Sequence, residues 1–258
     1  MANAPFRPLE ALKALRKLIE DPTKTEEAFR VVRSLDGPFF GRTFKRFAAD
    51  PTGVRLMSSR SSLLAALRDR AALEKCPAGS LGRAYLAFCD REGITPGGLV
   101  EASDAVPIAP GVTDDERWFI DRMRDSHDLW HVMTGYRTDL GGELSVLAFS
   151  LAQTWGPGLT LLVLGGLMET YKSGEIGAYA RTLVRDAWRT GRRTKWFPLA
   201  PWEEWLARPL DEVRVEMCVF SVPVYTPVYV TDVVGTGTAM GSGMSMGTRM
   251  SALNKTEN

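Results

Sequence analysis

Hydrophobic positions recur at helical spacing through most of this chain. Leu12, Leu15, Leu18 and Ile19 share one face of a helix predicted over residues 9–19, with Lys13, Arg16 and Lys17 between them. Such a basic amphipathic helix either packs on the protein's own core or touches a membrane surface. Asp21-Pro22 reads as an N-cap followed by proline at the first helical position, opening a helix to about Leu35. Asp36-Gly37-Pro38 is expected to break the chain, and Phe40, Phe44 and Phe47 then recur at spacings of four and three. Ser61 or Ser62 caps a helix over residues 63–75, and Ser80 caps another over 81–91 that Gly93 ends. Residues 94–112, rich in proline and glycine, read as irregular. Asp114 or Asp115 then opens a helix that carries Trp118, Phe119 and Met123 and runs directly into residues 127–131.

The second half is more apolar. Gly141-Gly142 marks a turn or helix start, and residues 144–168 carry no charge over 25 positions. By length that stretch is a membrane-span candidate, but Gly156-Pro157-Gly158 divides it into halves of about 12 residues, short of the ~20 a span needs. Two buried helices are the expected form; a pair walling a lipid-accepting apolar pocket is the alternative. Residues 175–193 predict a long helix. Residues 201–205 and 211–219 predict a last pair, with Pro209 near the start of the second. Residues 222–230 (VPVYTPVYV) read as extended, and Pro223 and Pro227 limit them to an edge strand or arm. From Gly235 the chain is mostly Gly, Ser, Thr and Met, a composition that predicts disorder. The expected fold is all-α: a single multi-helix domain over 35–220, N-terminal helices over 1–34, and an extended Pro/Tyr-rich arm with a disordered tail over 221–258.

Composition narrows the function classes. The chain has 258 residues and a net charge of +1, so nothing global points to nucleic acid. Its three cysteines, Cys76, Cys89 and Cys218, form no CxxC pair and read as core residues in a reducing compartment. Pro5 and Pro8 interrupt any secretory hydrophobic region at the N-terminus.

The chemistry concentrates in one place. The only two histidines, His127 and His131, are four residues apart and so share a helix face. Asp128 lies next to the first, and Glu143 follows the second across an 11-residue gap containing Gly135, Gly141 and Gly142. That gap is long enough to end one helix and start another facing it. Two imidazoles with one or two carboxylates suit a divalent transition metal and leave a position open for water or substrate, as a catalytic site requires. The pattern superficially resembles the zinc-protease HExxH, but Asp128 is one methylene shorter than the glutamate which serves there as general base, which argues against peptidase chemistry. Arg122, Arg124, Arg192 and Arg193 are candidates for holding a substrate carboxylate, since a guanidinium fork matches one; the bland reading of each is a solvated surface charge.

The pattern HDxxHx11E resembles the signature of the ubiquinone (coenzyme Q) biosynthesis proteins of the COQ-four type. Residues 77–91 (PAGSLGRAYLAFCDR), 122–135 (RMRDSHDLWHVMTG), Gly142-Glu143-Leu144, Gln153-Thr154, 187–193 (AWRTGRR) and 202–214 (WEEWLARPLDEVR) are similar to further segments of that family, so the likeness extends over about 35–220. It implies an all-α protein with a divalent metal held by His127, Asp128, His131 and Glu143: zinc first, with iron, cobalt or manganese as alternatives because zinc has no redox chemistry. It implies oxidative removal of the C1 carboxyl of a polyprenylated 4-hydroxybenzoate-type intermediate, leaving a hydroxyl. The alternative is a non-catalytic lipid-binding scaffold that organises a biosynthetic complex. Expected partners are a prenylated quinone precursor, a membrane surface, other enzymes of the pathway and a second copy of the chain. The expected location is the cytoplasmic side of the inner membrane in a bacterium, or the matrix side of the mitochondrial inner membrane in a eukaryote. Residues 159–171, 175–177, the 222–230 arm and the Met/Gly tail depart from the family pattern.

Overall fold

A computed structural model describes residues 6–172 and 174–228, and within them the fold is all-α. In chain order the helices are α1 (Pro8–Glu20), α2 (Thr25–Leu35), α3 (Gly37–Ala49), α4 (Pro51–Ser59), α5 (Leu63–Arg68), α6 (Arg70–Lys75), α7 (Leu81–Glu92) and α8 (Gly98–Asp104). They continue as α9 (Asp114–Asp125), α10 (His127–Thr134), α11 (Leu140–Thr154), α12 (Pro157–Thr170), α13 (Gly174–Arg193), α14 (Trp202–Trp205) and α15 (Leu210–Glu216), with a 3-10 turn at Phe197–Leu199. The one β-type pairing among the described residues is an isolated bridge between Ser80 and Pro209.

Local chemistry sets most of these boundaries. Ser62, Ser80 and Asp50 each accept a backbone N–H at the start of their helices, and Gly93 ends α7 in a left-handed conformation. Several boundaries differ from the sequence expectation. α2 begins at Thr25, because the Asp21 carboxylate is taken up in a local turn with the backbone and hydroxyl of Thr23. α2 and α3 are separated by Asp36 alone. The predicted 63–75 helix splits at Asp69, which caps its second half. Thr113, in a capping box with Glu116, starts α9 in place of Asp114 or Asp115. α8 lies in the stretch expected to be irregular, and the last helix ends at Glu216. Residues 219–228 form neither helix nor strand, so the predicted edge strand is absent there; the expected disordered tail lies outside the described residues.

The apolar half forms two helices, as the Gly156-Pro157-Gly158 break requires, and no described helix is long and apolar enough to cross a membrane. α11 and α13 run parallel. Val184 packs beside Leu144 and Ala148, and Gln153 near the end of α11 donates to the Gly191 carbonyl near the end of α13. α12 returns between them and also packs on the α1–α2 hairpin, through Leu162 against Ala14 and Val31. The main core joins α7, α10, α11 and the 197–219 segment; Trp130 meets Phe149 and Phe197 edge-on at 5.8 and 5.5 Å. This core holds α10 and the first turn of α11 side by side.

Candidate metal centre

α10 places His127 and His131 one turn apart, and their Nε2 atoms approach to 3.1 Å. Glu143, in the first turn of α11, brings Oε2 to 3.6 Å from the His127 Nε2 and 3.4 Å from the His131 Nε2. Bonds of about 2.0–2.1 Å to a tetrahedral cation put ligand atoms about 3.3 Å from one another, so these three separations fit a shared divalent metal. The ligand atoms of His127, His131 and Glu143 all lie within 4.8 Å of one another, and together they form the one such group among the described residues.

The supports around the trio are specific. His131 Nδ1 lies 3.1 Å from the Tyr136 carbonyl. Donating its N–H there leaves the Nε2 lone pair for a metal, the usual outer hydrogen bond of a ligating histidine. Gly135, at φ 79°, turns the chain so that this carbonyl folds back over α10. The ring of Phe88 on α7 stacks on His131 at 5.5 Å. Arg214 donates to the Val132 and Met133 carbonyls at the C-terminal end of α10, where a cation suits the helix dipole. Glu143 is aimed by the start of α11. Asp139 caps that helix by accepting from Gly141 and Gly142 N–H, and it also accepts from Val228 N–H and the Tyr225 hydroxyl. Gly142 has no room for a side chain, since a Cβ would stand 2.0 Å from the Arg137 carbonyl oxygen. Glu92 on α7 accepts from Arg137 and Thr138 and ties down the loop between the two ligand helices.

The electrostatics follow from burial and proximity. The His131 side chain is fully enclosed; those of His127 and Glu143 are 26% and 39% exposed, so the centre opens on their side. Burial alone would raise the Glu143 carboxyl, but the His131 charge and the nearness of both imidazoles outweigh it and hold Glu143 well below the usual carboxylate range. Burial would likewise lower His131, and Glu143 and Asp128 outweigh it and raise it. Asp128 is buried at 7% exposure, and that burial pushes its carboxyl up against the pull of His127 and His131. It makes no hydrogen bond among the described residues and lies outside the trio.

The four arginines stand apart from the centre. Arg122 is buried and committed to Glu203 and the Ala200 carbonyl. Arg124 pairs with Asp121 and Asp125. Arg192 and Arg193 are exposed at the end of α13, with the Arg192 guanidinium over the Trp188 ring. They neighbour the far end of α11, about 15 Å from Glu143 at 1.5 Å per residue. No hydrogen bond or ion pair among the described residues joins any of the four to the trio.

The family model for the coenzyme Q (ubiquinone) biosynthesis protein Coq4 matches residues 10–223. The mitochondrial ubiquinone biosynthesis protein coq4 of Talaromyces stipitatus is 30% identical over 187 residues, 72% of this chain and 62% of that protein. Its counterpart in Pyricularia oryzae is 28% identical over 196 residues, 75% of this chain and 62% of that protein. The chain thus spans about three fifths of the length of these curated relatives. A crystal structure from Nostoc punctiforme, assigned to ubiquinone biosynthesis, superposes with a TM-score of 0.60 at 22% identity, covering 84% of this chain and 100% of that one, a likeness of fold. The family match covers the trio, its supports other than Tyr225 and Val228, and nearly all the described helices, and the chain belongs to the Coq4 family of coenzyme Q (ubiquinone) biosynthesis proteins.

Proposed function

We propose that this chain acts in ubiquinone synthesis as a metal-dependent enzyme, exchanging the C1 carboxyl of a polyprenylated 4-hydroxybenzoate-type intermediate for a hydroxyl. The observation that carries the reading is the convergence of His127, His131 and Glu143 at metal-ligand separations within a chain of this family. Asp128, next to His127 on α10, is the fourth candidate ligand. A bound cation supplies positive charge that stabilises the electrons left on the ring as CO2 departs, and iron, cobalt or manganese, unlike zinc, also exchange electrons with an oxidant such as dioxygen.

The chain's own residues do the rest. Tyr136 and Phe88 fix the His131 ring, and Asp139 fixes Glu143, so the ligand atoms are set before substrate arrives. The partly open His127–Glu143 side gives the carboxylated ring its approach. Arg192 and Arg193 are the remaining candidates for binding an anionic group, since Arg122 and Arg124 are already paired. With dioxygen as the oxidant, the balance is two carboxylic acids plus one O2 giving two phenols plus two CO2. Purified protein loaded in turn with zinc, iron, cobalt and manganese should release CO2 from a prenylated 4-hydroxybenzoate in air with at least one metal; no release with any of them sinks the proposal.

The scaffold reading has one observation in its favour. Leu164 and Met168 on α12 are 53% and 68% exposed, an apolar surface on which a prenyl tail or membrane could rest. A scaffold predicts that His131→Ala impairs folding and assembly together with quinone synthesis. A folded, assembled variant that makes no quinone excludes it.

A further inference from the structure

α7 lies along α10 in parallel register. Phe88 stacks on His131, and Glu92, one turn on, bonds to Thr138 just beyond α10. Three residues before Phe88 is Tyr85, and three before His131 is Asp128, so the register sets these two abreast. Both are buried, at 1% and 7% exposure. The Tyr85 hydroxyl is enclosed and has no hydrogen-bond partner. The Cys89 thiol, one turn along α7, makes a weak hydroxyl–thiol interaction with it that contributes to the shifts of both groups, but at a separation or angle outside ordinary hydrogen-bond geometry. Burial raises the Tyr85 phenol far above its ordinary value, and the charges of Asp128 and Asp125 add to the effect. Asp128 also helps burial raise Cys89. A buried, unpartnered hydroxyl on α7 and a buried carboxylate on α10 therefore occupy matching positions across one interface beside the candidate metal ligands. The other unmatched donor on α10, the Trp130 indole N–H, sits among Phe149 and Phe197.

We propose that Tyr85 is a positioning residue of the metal centre, its hydroxyl supplying the hydrogen bond that fixes the Asp128 carboxylate when a cation is bound. The two groups stop short of direct hydrogen-bond contact, so the link closes through a single water or through rotation of the Asp128 side chain toward the ligand trio. Ligating carboxylates are themselves commonly hydrogen-bonded, and removing such an outer partner typically weakens metal affinity about 10- to 100-fold. This inference rests on the metal reading above and adds to it a role for α7.

The test is competitive titration of cobalt or zinc against a chelator, with wild type, Tyr85→Phe, Asp128→Asn and the double variant, together with the thermal midpoint of each chelator-treated protein. The expected result is a 10- to 100-fold loss of affinity in Tyr85→Phe, a loss at least as large in Asp128→Asn, and no further loss in the double variant. The chelator-treated Tyr85→Phe protein should melt at or above the wild-type temperature, because the hydroxyl it loses has no partner. A merely structural hydroxyl would lower that midpoint and leave affinity unchanged. Tyr85→Phe affinity within twofold of wild type, or independent multiplication of the two losses, overturns the inference while leaving the metal reading intact. A wild-type protein that binds neither metal overturns both.

Discussion

Replacing Asp36 with asparagine is expected to shift the stability balance toward the variant as pH rises from about 4 through about 6. Asp36 is the joint between α2 and α3, 9% exposed, and its carboxylate accepts the Gly158 N–H at 2.6 Å at the start of α12. Burial pushes its pKa from 3.8 up to about 6, against the opposing pull of that hydrogen bond. The folded state therefore holds this proton more tightly than the unfolded chain. Asp36 contributes its full stability below about pH 4 and loses it as pH rises through about 6. A rise of about 2.2 units at 1.36 kcal/mol each amounts to about 3 kcal/mol of penalty at neutral pH. Asparagine keeps the acceptor and cannot ionise. Its unpaired NH2 costs about 1–3 kcal/mol, but equally at every pH. Urea unfolding of wild type and Asp36→Asn from pH 4 to 8 isolates the effect, since every other titrating group is common to both. The stability difference should move in favour of the variant by up to about 3 kcal/mol across that range, with most of the change between pH 4 and 6. A difference that stays flat with pH refutes the argument that the buried carboxylate is penalised.

Other substitutions test the site more directly. Gly142→Ala should destabilise the fold and weaken metal binding together, because its Cβ would collide with the Arg137 carbonyl and the Tyr225 hydroxyl and push α11 off its start; thermal melting and metal titration both read it. Asp139→Ala should cost at least the ~1 kcal/mol of a lost N-cap, measured by urea unfolding, and more if the Tyr225 and Val228 bonds are lost with it. Arg122→Ala should cost about 1–3 kcal/mol of stability by leaving the partly buried Glu203 without its partner, while metal affinity holds near wild type. Metal affinity that falls with Arg122→Ala at unchanged stability would instead give that arginine a role at the centre.

The grouping of His127, His131 and Glu143 was legible because its signal is local, whereas Asp128, read with them, stands outside the group. Two histidines at helical spacing and a carboxylate beyond a glycine-rich gap need only the period of a helix to bring them together. The long helices, α1, α7, α11, α12 and α13, are likewise written in apolar periodicity and in capping residues such as Ser80 and Gly93. α4 and α8 were less visible, because seven to nine residues give the period little to repeat. The supports of the centre were not legible, because they arrive from distant parts of the chain. Phe88 and Glu92 come from α7, and Arg214, Tyr225 and Val228 come from the last described residues. Asp139 does carry a local signal, as an aspartate in the capping position of α11, although Gly141-Gly142 is the helix start that the sequence suggests. The arginines show the converse limit. Nothing near Arg122 in sequence announces Glu203, 81 residues away, which takes up its charge.

The central claim is that one divalent metal is held by His127, His131 and Glu143. Elemental analysis of the protein purified from its own host, beside His131→Ala and Glu143→Gln variants shown to be folded, tests it most directly. The account predicts close to one equivalent of a first-row divalent metal in the wild type and a marked loss in both variants. Wild-type protein without stoichiometric metal, or variants that retain it in full, would contradict the account.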